Sequence, residues 1–194
     1  IGAFARSEGL LLHVDGARLV NAAEALGVSL KEMTTECGVD VISLGGTKNG
    51  LMFGEAVVFL RPGLSADLKY LRKQSMQLPS KTRFLAAQFL EFLGTELWRE
   101  NARHANRMAR RLYEGLSGIK GVEIARAPEV NSVFARFPKA WVKELKEAAF
   151  FYVWDELTFE CRLMTTWDTS EEEITRFVAE ARRLSSAGTG AARL

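Results

Sequence analysis

Three side chains that could act together in catalysis lie beside predicted strands: Asp15, Lys48 and Arg162. A lysine amine can attack an aldehyde and hold it as a Schiff base, and a carboxylate can pair with a positively charged ring nitrogen. An arginine can bind a carboxylate through two parallel hydrogen bonds, which orients the carboxylate better than a lysine would. Taken one at a time, each residue also has an ordinary role. Asp15 would suit a turn or helix cap, and Lys48 and Arg162 would suit exposed surface.

Lys48 lies in a glycine-rich segment, Ser43–Gly50, with the sequence SLGGTKNG. Small residues beside the lysine let a flat, bulky cofactor approach the backbone. The spacing differs from the GxxxxGK[ST] loop of nucleotide-binding proteins, so the segment does not predict a nucleotide site. Pyridoxal 5'-phosphate (PLP) suits these residues better, because its aldehyde reacts with a lysine and its ring nitrogen needs an anionic partner such as Asp15.

Two predicted strands bring Asp15 and Lys48 to the same edge of a sheet. Leu10–Val14 and Val39–Leu44 are apolar runs typical of buried strands, and Ala17–Leu26 between them has helical spacing. Strand, helix and strand within about 30 residues predict two parallel neighbours. Ligands of parallel sheets bind at the C-terminal ends of the strands, which is where both side chains lie.

The rest of the chain divides into a helical segment and a second unit. Residues 64–116 have an amphipathic helical pattern with breaks near Pro79 and Gly94. The other predicted strands are Glu55–Leu60, Val122–Ala125, Ser132–Phe137, Phe151–Trp154 and Arg162–Thr166, and the other predicted helices are Leu30–Glu36, Lys139–Ala149 and Ser170–Leu184. We therefore expect two domains, residues 1–117 and 118–194, and a frayed tail from Ser185 to Leu194.

Composition excludes several classes of protein. The 194 residues carry a net charge of +2, and acidic and basic residues are interleaved, so nucleic acid is not an expected partner. No apolar run is long enough to cross a membrane, and Cys37 and Cys161 lack metal-ligand spacing, which indicates a reduced, cytoplasmic compartment and no metal site. An arginine-rich stretch could be a solvated helix face or an RNA-binding stripe, but interleaved aromatics are absent. Its arginines are Arg99, Arg103, Arg107, Arg110 and Arg111.

Three segments together resemble one family. His13–Arg18 (HVDGAR) and Ser43–Gly50 (SLGGTKNG) are similar to the low-specificity L-threonine aldolases, as is Arg162–Asp168 (RLMTTWD). These are PLP-dependent enzymes of fold type I, the aspartate-aminotransferase type. The resemblance implies an α/β fold: the C-terminal part of a fold-type-I large domain, with a parallel-rich sheet and helices, followed by a small α+β domain.

The resemblance also implies a role for each site residue. Asp15 would pair with the pyridinium nitrogen, Lys48 would form the Schiff base, and Thr47 would lie near the cofactor phosphate. Arg18 and Arg162 would hold the α-carboxylate of the amino acid. The enzyme would cleave threonine, or a related β-hydroxy-α-amino acid, to glycine and an aldehyde.

Two further roles stay open at the level of sequence. His13 shares a strand face with Asp15, and it would act either as the base for the β-hydroxyl proton or as a packing or hydrogen-bonding partner of the ring. The resemblance implies a homodimer or homotetramer with active sites across the interface, and Lys81 or Arg83 would reach the partner's site.

The first residues of the chain also carry a prediction, which concerns what precedes them. Residues 1–9 read as the last turns of a helix, so we expect a preceding segment, which in this family holds the phosphate-binding turn and a residue stacked on the ring. The chain would then be a fragment or a truncated gene product. The alternatives to an aldolase are another fold-type-I lyase or transferase acting by β-elimination, and a non-catalytic protein on the same scaffold.

Overall fold

The computed structural model describes residues 1–190, with side chains for residues 1–187. The chain divides into two compact units, Ile1–Ala102 and Arg103–Leu194. Elements of the first unit are α1 (Gly2–Ser7), β1 (His13–Gly16), α2 (Leu19–Leu26), α3 (Leu30–Met33), β2 (Val41–Gly45), a 3-10 turn (Thr47–Asn49), β3 (Glu55–Phe59), α4 (Leu68–Gln74) and α5 (Thr82–Gly94). Helix α6 (Leu97–Leu116) begins in the first unit and ends in the second.

The sheet of the first unit has the order β1-β2-β3. Strands β1 and β2 are parallel, as the strand–helix–strand pattern predicts, with Asp15 opposite Ser43. Strand β3 runs antiparallel to β2, because the connection of residues 46–54 is too short for the crossover that a parallel pair needs. The prediction that β1 begins at Leu10 is wrong: Leu10 and Leu11 are exposed, and pairing with β2 starts at His13.

Helix α2 packs its apolar side on this sheet and forms the core of the first unit. Val20 and Ala23 are fully buried in a cluster that also contains Phe92 of α5. The helix begins at Leu19, two residues later than predicted, since Arg18 is its N-cap, and Gly27 ends it in the left-handed conformation. The sequence therefore locates the helix correctly and only places its start two residues too early.

Helix α6 carries the arginine-rich stretch, and its arginines make ion pairs. Arg99 contacts Glu24 at 3.8 Å and Glu96 at 3.1 Å, and Arg111 contacts Glu171 at 2.9 Å. The Arg111 pair is solvent-exposed, as is typical of a solvated helix face, whereas the Arg99–Glu24 pair is largely buried. The predicted helix breaks are confirmed, because α4, α5 and α6 are separated at residues 75–81 and 95–96.

The second unit is a three-stranded antiparallel sheet covered by helices on one face. Its elements are β4 (Ser132–Arg136), α7 (Lys139–Ala148), β5 (Tyr152–Asp155), β6 (Glu160–Met164) and α8 (Glu171–Gly190). Strand β6 lies between β4 and β5. The strand predicted at Val122–Ala125 is wrong: only an isolated bridge forms, between Glu123 and Arg136, in a stretch flanked by Gly121 and Pro128.

The core of the second unit lies between the inner sheet face and helices α6, α7 and α8. Val133, Cys161 and Leu145 are completely or almost completely buried in it. Burial raises the pKa of the Cys161 thiol to about 11, so this cysteine acts as an uncharged packing residue. Cys37, in the first unit, is also a free thiol but is exposed.

Helix α8 begins with a capping box and runs further than predicted. The backbone N–H of Ser170 donates to Glu173 at 2.8 Å, and the N–H of Glu173 donates to the Ser170 hydroxyl at 3.1 Å. The predicted frayed tail is wrong for residues 185–190, which are helical, and Ser185 donates to the Lys120 carbonyl at 2.8 Å. The remainder of that tail, residues 191–194, lies outside the described residues.

The division into units and the predicted domain boundary differ in position. The compact units meet in sequence at Ala102 and Arg103, inside α6, whereas the predicted boundary follows that helix at residue 117. The reason is that α6 serves two cores: Trp98 belongs to the cluster of the first unit, and Met108 to the cluster of the second. The assignment of domains 1–117 and 118–194 stays a prediction.

Two absences hold for the part of the chain that the structure describes. None of its helices combines the length and apolar character needed to cross a membrane. Nor does it bring three or more His, Cys, Asp or Glu side chains together as a set that could hold a metal ion.

Candidate active site

Asp15 lies at the C-terminal end of β1 with its carboxylate exposed. The alternation along the strand exposes His13 and Asp15 on one face and turns Val14 onto the core, as predicted. The Oδ1 atom of Asp15 accepts a hydrogen bond from the Ala17 N–H at 3.1 Å, which closes the turn into α2. The residue thus fills the turn position expected of an Asp-Gly pair while it still presents charge at the sheet edge.

His13 is held beside Asp15 by a neighbour on β2. Its Nε2 atom is 2.9 Å from the Ser43 hydroxyl, and Ser43 is the residue opposite Asp15 in the parallel ladder. The sequence did not indicate a role for Ser43. This hydrogen bond orients the imidazole on the same exposed face as the carboxylate.

Lys48 lies directly beyond β2 in the 3-10 turn Thr47–Asn49, at the same sheet edge as Asp15. Its side chain is exposed, and its amine has no hydrogen-bond or ion-pair partner among the described residues. The Thr47 hydroxyl, by contrast, is engaged: it accepts from the Gly54 N–H at 3.0 Å and lies 3.3 Å from the Gly54 carbonyl. The turn therefore holds Thr47 in place and leaves the lysine amine available.

Asn49 connects the two strand ends and was not identified from the sequence. It is buried, and its Nδ2 atom donates to the Gly45 carbonyl at 2.7 Å and to the Ala17 carbonyl at 3.3 Å. The Asn101 amide of α6 in turn donates to the Asn49 carbonyl at 2.8 Å. These bonds fix the turn that carries Lys48 against the turn that carries Asp15. The only signal in the sequence was an asparagine directly after the candidate lysine.

Gly45 allows the two turns to approach each other. A Cβ atom added at Gly45 would lie 2.7 Å from both the Cα and the carbonyl oxygen of Ala17. Real Cβ atoms do not come this close to backbone, so only glycine permits the contact between the end of β2 and the start of the β1–α2 turn.

Replacing Gly45 by alanine is expected to push the turns bearing Lys48 and Asp15 apart. Overpacking against backbone costs about 1–3 kcal/mol of the free energy of unfolding, which denaturant titration measures. The matched control is Gly94→Ala, because a Cβ at Gly94 meets nothing within 4 Å. Equal stability of the two variants would contradict the close contact.

Arg18 and Arg162 occupy different units. Arg18 is half-buried at the N-cap of α2, three residues after Asp15. Arg162 is half-buried on β6 in the second unit, where its guanidinium carbon lies 5.1 Å from the centre of the Trp154 ring. The Nε atom of Arg162 is buried and lacks a hydrogen-bond partner among the described residues. An unpaired buried donor is costly, so an anion bound there would satisfy it.

Lys81 and Arg83 lie at the start of α5. The Lys81 amine is 3.4 Å from the Ser80 hydroxyl, and the Arg83 guanidinium lies 4.9 Å from the centre of the Phe84 ring. Both are local contacts on an exposed surface. The prediction that one of them reaches a partner subunit stays a prediction.

The family described as beta-eliminating lyase matches residues 1–140, which include both motifs of the sheet edge. The chain belongs to the beta-eliminating lyase family. Low-specificity L-threonine aldolases of Pseudomonas sp. (strain NCIMB 10558) and Pseudomonas aeruginosa are each 38% identical to it over 191 residues, covering 96% of this chain and 54% of theirs. The chain thus spans about half the length of the curated relatives it matches.

Solved structures give the same result for the fold. A threonine aldolase from Leishmania major superposes with a TM-score of 0.84 and 32% identity, covering 95% of this chain and 54% of that one. A tryptophan decarboxylase of Catharanthus roseus has a TM-score of 0.70 at 16% identity, covering 96% and 45%, and shares the fold alone. The predicted fold class and the resemblance to threonine aldolases are confirmed. Members of this family are PLP-dependent, which confirms the predicted cofactor at the level of the family.

Proposed function

We propose that the protein containing this chain cleaves threonine and related β-hydroxy-α-amino acids to glycine and an aldehyde, with PLP as cofactor. The observation that carries the proposal is the sheet edge where the parallel strands β1 and β2 end. There an exposed carboxylate, Asp15, and a lysine without a partner among the described residues, Lys48, follow adjacent strands whose turns touch through Gly45 and Ala17. Parallel sheets bind their ligands at such edges.

The residues of this edge suit PLP. When bound, the cofactor supplies an electron sink for the charge that develops at the substrate's α-carbon. In the proposal the free amine of Lys48 binds the cofactor aldehyde, and the Asp15 carboxylate keeps the ring nitrogen protonated. Asp15 can do this while its Oδ1 holds the Ala17 N–H, since a carboxylate accepts several hydrogen bonds. Thr47 would lie near the phosphate.

Arg18 and Arg162 are proposed to hold the substrate's α-carboxylate. The buried Nε of Arg162 supports this assignment, because it is a donor that nothing in the described residues satisfies. A guanidinium can offer Nε and one Nη to the two oxygens of a carboxylate. Fixing the carboxylate orients the Cα–Cβ bond for cleavage, and orientation is a large part of catalysis.

We propose that His13 lies close to the substrate and cofactor and has one of two roles. Its imidazole lies on the exposed face with Asp15, and its Nε2 atom is hydrogen-bonded to the Ser43 hydroxyl at 2.9 Å. If it accepts the β-hydroxyl proton, Ser43 orients the ring for that step. If it packs against the cofactor instead, the same hydrogen bond fixes the packing surface.

The assembly and location of the whole protein are also proposals. We infer a homodimer or homotetramer, supported by large apolar side chains exposed on α5, among them Phe84 and Leu90, which are 61% and 75% exposed. Free cysteines, of which Cys37 is exposed, support a cytoplasmic location.

A second candidate is β-elimination, which the family's description favours. Both reactions use the same carboxylate, lysine and arginines, and they differ in the substrate bond that breaks. A β-elimination releases the β-substituent and ammonia, whereas the aldol cleavage retains the amino group in glycine. The products therefore separate the two functions.

The test uses the full-length protein with PLP. L-threonine and L-allo-threonine are expected to yield glycine and acetaldehyde in equal amounts, measured by amino-acid analysis and a coupled aldehyde assay. L-serine serves as the probe for elimination, and release of pyruvate and ammonia without glycine formation from threonine would favour the second candidate. A protein that binds PLP but gives neither set of products would contradict both.

A further inference from the structure

Arg162 lies in the middle of an aromatic row across the outer face of the second sheet. In the strand register Phe134 of β4 is opposite Arg162 of β6, and Arg162 is opposite Tyr152 of β5. Residues opposite each other in neighbouring strands project on the same face. The inner face, with Val133, Cys161 and Leu163, is buried in the core, so the row lies on the opposite, outer face of the sheet.

Trp154 lies on the same face as this row, at a β-bulge. Val153 pairs with Cys161 and Asp155 pairs with Glu160, so Trp154 is the extra residue on β5 without a partner in the ladder. Bulges change the direction of a side chain. Here the Trp154 ring lies 5.1 Å from the Arg162 guanidinium, and the Phe134 ring meets it edge-on, with 6.0 Å between ring centres.

The contact between Trp154 and Arg162 adds little to the stability of the fold, which indicates a functional role beyond packing. Trp154 is 59% exposed, so burial of its ring contributes little to stability. The Arg162 Nε is at the same time buried and, among the residues that the structure describes, unpaired, which is energetically unfavourable. A guanidinium held against an indole face, with one donor shielded and unused, is a site prepared for a planar anion.

We propose that Trp154 is a positioning residue for Arg162: it holds the guanidinium plane so that Nε and an Nη receive the carboxylate of the amino-acid substrate. This inference rests on the proposed function, in which Arg162 binds that carboxylate. Stacking against one face of the guanidinium leaves its in-plane donors free. Phe134 supports Trp154 by its edge-on contact, and the bulge supplies the direction.

The experiment measures binding rather than turnover, using the full-length protein with PLP. Glycine and glycinamide are titrated separately and followed by the absorbance of the cofactor. The two ligands share the amine and differ in the carboxylate, so the ratio of their dissociation constants, glycinamide over glycine, reports carboxylate recognition. The variants are Trp154→Leu, Trp154→Phe and Arg162→Lys, and Leu157→Ala is the control, because Leu157 lies in the same hairpin and is 94% exposed.

Trp154→Leu keeps apolar bulk and removes the π face, so the ratio is expected to fall about five- to tenfold. Trp154→Phe restores an aromatic face and is expected to recover most of the ratio, and Leu157→Ala should leave it at the wild-type value. A merely structural role for Trp154 would weaken both ligands equally and would leave the ratio unchanged.

Two outcomes separate this inference from the function on which it rests. A ratio that falls in Arg162→Lys but not in Trp154→Leu would overturn the role of Trp154 and leave Arg162 as the carboxylate ligand. A ratio unchanged in Arg162→Lys as well would overturn the carboxylate assignment itself. If Trp154→Leu does not fold, Trp154→Phe against Trp154→Met provides the same comparison of an aromatic with a non-aromatic side chain.

Discussion

Replacing Lys48 by alanine is expected to abolish covalent attachment of PLP and to lower kcat for threonine cleavage by on the order of a thousandfold or more. The physical reason is that the exposed amine of Lys48, unpartnered among the described residues at the edge shared with Asp15, is the group proposed to hold the cofactor aldehyde. The measurement is borohydride reduction of the full-length protein incubated with PLP, followed by digestion and mass spectrometry. The pyridoxyl group should be found on the peptide containing Lys48 and should be absent in Lys48→Ala.

The matched control is Lys31→Ala. Lys31 is also an exposed lysine of the first unit, but it pairs with Glu36 at 3.3 Å and lies on α3, away from any strand end. Labelling and kcat should match the wild type. Label scattered over several lysines, or label that persists in Lys48→Ala, would mean that Lys48 is an ordinary surface residue and that the catalytic proposal is wrong.

The change Asp15→Asn is expected to lower kcat about a hundredfold or more while the fold is maintained. An asparagine side chain can still accept the Ala17 N–H through its oxygen, so the turn that Asp15 forms at 3.1 Å is preserved. Only the negative charge is lost, and with it the group proposed to keep the cofactor ring nitrogen protonated. Steady-state kinetics together with the denaturation midpoint provide the measurement.

Asp15→Ala separates the two roles of the residue. This variant loses the charge and also the hydrogen bond to Ala17, so its free energy of unfolding should fall by about 1 kcal/mol in addition to the loss of kcat. If Asp15→Asn keeps wild-type kcat and only Asp15→Ala is impaired, then Asp15 is simply a turn residue. That outcome would remove the carboxylate from the proposed mechanism.

Much of the fold can be predicted because local patterns and the final structure agree. The predicted starts of α3 and α8 lie within one residue of the observed starts, since in each helix a capping box, at Ser29 and at Ser170, satisfies backbone donors of that helix. Errors occurred where a strand needs a distant partner. Leu10 is apolar but is exposed and lies before the start of β1, and Val122–Ala125 makes a single bridge.

The C-terminal end of α8 shows the same limit of local patterns. The Ala-, Gly- and Ser-rich residues after Leu184 predict a frayed tail, yet the helix continues to Gly190. The Ser185 hydroxyl donates a hydrogen bond to the carbonyl of Lys120, 65 positions earlier in the chain, and this bond stabilises the continued helix. Contacts of this range do not appear in local composition, so tertiary structure overrides the weak propensity.

The sequence by itself determined which residues of this protein are suited to PLP chemistry: Asp15 and Lys48 are identified by residue type, by the strands that precede them and by their motifs. Only the tertiary structure decided how these residues are held. Asn49 and Gly45 join the two turns, and Trp154 lies over Arg162 through a bulge. The physical reason is that residue type and local spacing depend on neighbours in the chain. Close packing, bulges and buried hydrogen bonds depend on strands that meet only after folding.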